Sequence, residues 1–213
     1  MEAFESERTL GGGVESGGVL ETVETVVRER RTVKQFLPMA VPRELLSRLI
    51  EAAVWAPNHR LTEPWRFYVL DGDSRARLGE VAAEVMRSKA LATGGTPEAA
   101  ERKAREAAAA WAVVPALVYV TSLTHPDPEV DLENYGAVCC AVQNFSLVAH
   151  VAGLGTSWSS GAVAAATELR ELAGAGPDER MVGLIRVGYP DPAAPPAPAR
   201  RTPGATYVRW LDG

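Results

Sequence analysis

Between Glu133 and Glu168 the chain carries no formally charged residue, and Tyr135 to Leu154 within that window is mostly small and apolar. A helix that is apolar all round either spans a membrane or lies deep in a protein core. Gln143, Asn144, Ser146 and His150 interrupt this run, and Gly153 and Gly155 end it. Those polar groups favour burial against protein, a second subunit included. With 213 residues the chain is long enough for one domain with a sizeable core and too short for two comfortable ones.

The rest of the pattern alternates helices and short β-rich runs. Residues 1–19 are Gly-rich and poor in apolar groups, so they read as a flexible tail ahead of a single domain spanning 20–213. Helical spacing begins at Leu20 and runs to Arg30. A second helix opens at Pro42, runs to about Trp55, and is closed by Pro57. Arg66 to Leu70 reads as a strand, and Ser74 as the cap of a helix reaching Ala92. Thr96-Pro97-Glu98 starts an Ala-rich helix that ends near Trp111. Pro115 to Ser122 and Met181 to Gly188 are buried strands, Thr156 to Ser160 is a short segment, and Thr167 to Ala173 is a helix. Pro190 to Pro203 predicts an extended arm, followed by a β-like piece at Ala205 to Trp210. Strands separated by helix pairs at unequal spacing point to α+β.

Composition removes several functions. A formal net charge of −5 argues against a nucleic-acid partner. Cys139 and Cys140 are the only cysteines, and neighbours rarely pair, which favours a reducing compartment, the cytoplasm. His59, His125 and His150 lack metal-ligand spacing, so no metal site is expected. The acidic N-terminus has no signal-peptide pattern, and no membrane association is expected.

Four short segments carry the remaining chemistry. Arg30-Arg31-Thr32-Val33-Lys34 places cations and a hydroxyl at a helix end, where they can grip a phosphate or merely complement the helix terminus. Ala56 to Phe67 (APNHRLTEPWRF) is a donor-rich loop suited to a ligand, although His59 and Trp65 also read as structural residues. Gly153 to Gly161 (GLGTSWSSG) lets backbone approach a flat ligand, or is simply a Gly-rich turn. Arg200-Arg201-Thr202-Pro203 ends the arm and reads equally well as solvated charge.

In their order and spacing these segments together resemble the nitroreductase family, most closely its small-subunit branch, over roughly Val23 to Trp210. The resemblance implies a central mixed sheet flanked by helices, in an intertwined homodimer with C-terminal arm exchange. It implies FMN at the subunit interface and NAD(P)H as co-substrate. By position, Arg30, Arg31 and Thr32 match the segment that holds the FMN phosphate and ribityl chain. Lys34 matches a lysine near the pyrimidine end of the flavin, which makes it an electrostatic tuner. Asn58 and His59 match contacts from a flavin-facing loop of the partner subunit. Trp158, Ser159 and Ser160 match the segment lining the isoalloxazine, and Arg201 a second phosphate-binding residue, with Arg200 as its substitute.

Three positions depart from the pattern. Larger relatives carry Asn at Leu61 and Gln at Glu63, and the close branch can have Arg at Trp55. The activity implied is ping-pong transfer of reducing equivalents to a nitroaromatic, quinone or enone, with no protein acid or base on the path. A flavin-consuming or dehalogenating enzyme of the same fold, or a flavin-binding dimer without useful turnover, are the alternatives.

Overall fold

Six helices and four strands follow one another through residues 16–70 and 72–211, which the computed structural model describes. Helices α1 (Ser16–Glu29) and α2 (Arg43–Ala53) precede strand β1 (Trp65–Leu70). Helices α3 (Gly72–Ala92) and α4 (Pro97–Ala112) lead into β2 (Ala116–Leu123). Helix α5 (Pro128–Val151), strand β3 (Gly155–Ser159), helix α6 (Thr167–Ala173) and strand β4 (Glu179–Gly188) complete the body. Short 3-10 turns lie at His59–Leu61 and Gly204–Tyr207.

The strands form one sheet in the order β1-β2-β4-β3, and every pair is antiparallel. The expected mixed sheet is corrected to that extent. Parallel pairing among the described residues is a single bridge, Thr32 to Thr156, on the outer edge of β3. One residue on that edge is too short a match to count as a strand.

Alternation along β2 and β4 builds a separate core on each face of the sheet. Val118, Val120, Ile185 and Val187 pack with α2 and α5, whereas Leu117, Tyr119 and Leu184 pack with α3 and α6. On the second face Glu179 gathers the ends of three elements. Its carboxylate accepts from Tyr68 Oη at 2.7 Å, from Gly176 N at 2.9 Å and from Thr121 Oγ1. Burial and then the bond to Glu179 push the Tyr68 phenol up to about 12.

Helix α5 is longer than the apolar run that marks it. Asp127 caps it by accepting from Glu129 N, and Pro128 takes the first turn, where its missing N–H costs nothing. Val138, Val142, Phe145 and Ala149 are fully buried against the sheet. Of the polar interruptions, Ser146 is absorbed by its own helix, donating to Val142 O at 2.8 Å. The opposite side of the helix remains bare, with Leu132 69% and Val151 68% exposed and Gly136, Cys140 and Gln143 between them. Helix α1 likewise shows Leu20, Val23 and Val27 to solvent. No described helix is long and apolar enough to cross a membrane.

Four local expectations are corrected. Helix α1 starts at Ser16 rather than Leu20, and the rest of the expected tail, 1–15, lies outside the described residues. Pro42 sits at the cap position of α2, not inside it, and α2 stops at Ala53. Ser74 lies within the first turn of α3, which has already begun at Gly72. Residues 205–210 form no strand: Gly204–Tyr207 coils into a 3-10 turn, and within one chain residues 208–211 join no sheet edge. Tyr207, Trp210 and Leu211 are consequently more than three-quarters exposed.

Candidate functional site

Just past α1 the chain turns and runs along the edge of β3. Val33 N donates to Thr156 O at 2.9 Å, and Leu37 N donates to Tyr189 O at 2.8 Å. Gly155 permits this approach, since a Cβ there would lie 2.6 Å from Val33 Cβ. Gly155→Ala is therefore expected to push the Arg30–Lys34 segment outward and cost at least about 1 kcal/mol of stability, read by thermal or denaturant unfolding. An unchanged midpoint would mean that the two segments are free to separate.

Beyond β4 the Pro-rich arm folds back over this segment and closes a cavity of about 440 Å³. Arg30, Arg31, Thr32, Lys34 and Gln35 line one wall, and Pro195, Pro196, Ala197 and Arg201 line the other. Four cations and no carboxylate face the space. Burial, then Arg31, then Arg201 hold the Arg30 pKa below its ordinary value, although the guanidinium stays charged. Arg30 Nε is buried without a hydrogen-bond partner. Arg31 differs, because its Nη1 donates to the carbonyls of Arg28 and Arg30 and so caps α1. Terminating the helix thus accounts for part of Arg31, and leaves Arg30, Lys34 and Arg201 on one cavity with no carboxylate lining it among the described residues. A phosphate monoester, dianionic with three acceptor oxygens, fits this donor set.

The loop after α2 is built differently. Arg60, Leu61 and Glu63 have φ of 62°, 50° and 44°, in the left-handed region that non-glycine residues avoid. Each such residue costs about 1–3 kcal/mol, so neighbours must hold it. Asn58 does much of the holding: Nδ2 donates to Thr62 Oγ1 at 3.0 Å and His59 O at 3.3 Å, and Oδ1 accepts from Glu63 N at 2.7 Å. Thr62 Oγ1 donates to Asn134 Oδ1 at 2.6 Å, and His59 Nδ1 meets the Glu133 carboxylate at 2.9 Å. The braced loop presents Leu61, 82% exposed, beside Trp55, 79% exposed. With Glu51, Glu63 and Trp65 they line a cavity of about 350 Å³.

Trp158 lies on the α5 face of the sheet, where its Nε1 donates to Val182 O at 3.1 Å. The indole crosses Gly183, at which a Cβ would come within 2.1 Å of Nε1. Ser159 and Ser160 continue from it along the rim.

One chain does not unite these pieces. The loop is bound to α5 at Glu133 and Asn134, while His150, near the other end of α5, lines a small cavity with Arg30 and Arg31. At 1.5 Å per residue, Asn134 and His150 are roughly 24 Å apart along the helix. Sequence reasoning passed over Gln35, and over the braces Glu133 and Asn134. Only their place at the start of a capped helix marked the latter two, and they lie over 70 residues from the loop they hold.

The nitroreductase family profile matches residues 27–189. Over 180 residues the chain is 32% identical to YfhC of Bacillus subtilis, a candidate NAD(P)H nitroreductase, covering 84% of this chain and 88% of that one. Its fold superimposes on a nitroreductase-like family protein from Bacillus cereus with a TM-score of 0.77 at 28% identity, over 96% of this chain and all of that one. It also superimposes on the FMN-dependent nitroreductase NfnB of Mycobacterium smegmatis, solved with NADPH, with a TM-score of 0.74 at 18% identity, over 91% of this chain and 100% of that one. The fold is that of a nitroreductase-type oxidoreductase. The chain belongs to the nitroreductase family.

Proposed function

We propose that the protein is a homodimeric, FMN-dependent oxidoreductase of the cytoplasm that draws reducing equivalents from NAD(P)H and passes them, by ping-pong turnover, to a small electrophilic acceptor. The observation that carries this reading is the cavity of unneutralised cations, in which buried Arg30 Nε awaits an acceptor. Arg30 and Arg201 bind the phosphate, with Arg31 and Thr32 beside it. Trp158, Ser159 and Ser160 line the ring system, and Asn58 and His59 of the second subunit close over it. When bound, FMN supplies the two-electron chemistry that no side chain here can. The domain proper begins with α1, at Ser16 rather than at residue 20.

The separation along α5 supports a second subunit. The midpoint between Asn134 and His150 is residue 142, and exposed Cys140 and Gln143 flank it. A two-fold axis crossing α5 there sets the loop of one chain beside the basic cavity of the other and buries the bare stripe of α5. Arm exchange would give the apolar 207–211 segment the cover it lacks in one chain.

Lys34, exposed at the cavity wall, holds positive charge where negative charge develops on reduction. Lys34→Met keeps the stem and deletes the charge. The flavin midpoint potential is expected to fall, by roughly 30 mV if the lost differential is about 1.4 kcal/mol. A spectroelectrochemical titration with unchanged potential would place Lys34 in solvent, outside the site.

The reading as a whole is tested on the purified protein. It is expected to be yellow, to release FMN on denaturation, and to bleach when NADH or NADPH is added without oxygen. A colourless protein with no affinity for FMN would overturn the reading. A yellow one that neither NADH nor NADPH bleaches would leave a flavin-binding dimer.

A further inference from the structure

We propose that the cavity walled by Trp55, Leu61 and Trp65 receives the ring of the electron acceptor, and that Glu51 and Glu63 make it select neutral and cationic aromatic acceptors over carboxylated ones. This rests on the reading above, in which the 58–63 loop of one subunit borders the flavin held by the other. Its space of about 350 Å³ suits one or two fused rings. Two indoles and a leucine supply flat apolar walls, and the most exposed of them, Trp55 and Leu61, are held outward rather than buried.

The charges are one-sided. Glu51 and Glu63 are the charged residues lining the cavity, and neither has an ion-pair partner among the described residues. Exposed Arg48, one turn before Glu51 on α2, borders the adjoining cavity rather than this one. His59 and Arg60 turn to Glu133, and Arg66 donates to the carbonyls of Glu63 and Trp65. An aromatic carboxylate entering here meets two like charges and no cation among the residues that line the cavity, whereas a cationic ring meets attraction from both and from the indole faces. Both carboxylates are exposed, so water and salt limit the effect to a preference.

The test compares 4-nitrobenzyl alcohol, 4-nitrobenzoate and 4-nitrobenzyltrimethylammonium as acceptors for the holoenzyme. Within one preparation the ratio of kcat/KM values does not depend on how much flavin is loaded. Glu51→Gln and Glu63→Gln are each expected to shift the neutral-to-anionic ratio toward the anion by about two- to fivefold, the span of exposed charge interactions. The double variant should shift it further, and added salt should narrow the wild-type ratio more than that of the double variant. Intrinsic reactivity of the three compounds cancels in comparing variant with wild type. A second measurement needs no turnover: phenyltrimethylammonium should quench tryptophan fluorescence more tightly than benzoate does, and Trp55→Phe should remove much of that signal. Ratios unmoved by both substitutions, with equal binding of the two probes, would overturn the proposal while bleaching by NADPH still stands. A protein that never bleaches would instead remove the reading beneath it.

Discussion

Arg30→Ala weakens FMN binding by about 1.5–3 kcal/mol, the range for a hydrogen bond to a charged group, and leaves riboflavin binding largely as it was. Expressed as affinity, that is a loss of roughly 10- to 150-fold. The cause is visible in the wall of the basic cavity. Arg30 is half-buried there, with Nε unpartnered and Arg31 and Arg201 close enough to depress its pKa. Such a group is unfavourable until a dianion arrives, and its removal should not harm the flavin-free fold. Unfolding of the apoprotein should therefore occur at an unchanged or higher temperature in the variant, while the rise on adding FMN shrinks. Titration of FMN and riboflavin fluorescence with apoprotein reads the affinities directly. Equal losses for both flavins would show that Arg30 serves the fold rather than the phosphate.

Most of the secondary structure was legible because its signals are local. Thr96-Pro97 and the short apolar runs of β2 and β4 each declare an element within a few residues, although the Asp127-Pro128 start of α5 lies ahead of the apolar run read for that helix. What failed depended on distant neighbours. Residues 205–210 have β-like composition but no edge to join within one chain, so the turn at Gly204–Tyr207 forms instead. The site divides in the same way. Arg30 to Lys34 could be read as a phosphate grip because the cations are contiguous, but the partial use of Arg31 as a helix cap appears only in three dimensions. Asn58 reads in sequence as a ligand contact, and its second task, holding the strained loop together through both ends of its amide, appears only in the fold. No sequence pattern announces left-handed Arg60, Leu61 and Glu63, since none is a glycine.

Two defective variants are expected to restore each other when mixed. Arg30→Ala damages the cationic half of the site, and Asn58→Ala with His59→Ala releases the loop half. Each homodimer then carries two damaged sites and loses its flavin on gel filtration. If the halves come from different chains, a hybrid dimer has one site with both lesions and one with neither. Random exchange makes about half of all dimers hybrids, so bound flavin should recover to about one quarter of the wild-type level. If both halves came from the same chain, every site would retain a lesion and nothing would recover. The expectation follows from the roughly 24 Å of α5 between Asn134, which anchors the loop, and His150, which borders the cationic cavity. Subunits unfolded together in denaturant, refolded with excess FMN and passed over a desalting column supply the measurement. The exposed thiol of Cys140 supplies an independent one, because a two-fold axis near residue 142 brings the two copies together. A short bis-maleimide should then join the refolded dimers in wild type and fail in Cys140→Ser. Flavin recovery near zero, with a stable dimer that the reagent cannot cross-link, would place the axis elsewhere and break the shared site apart.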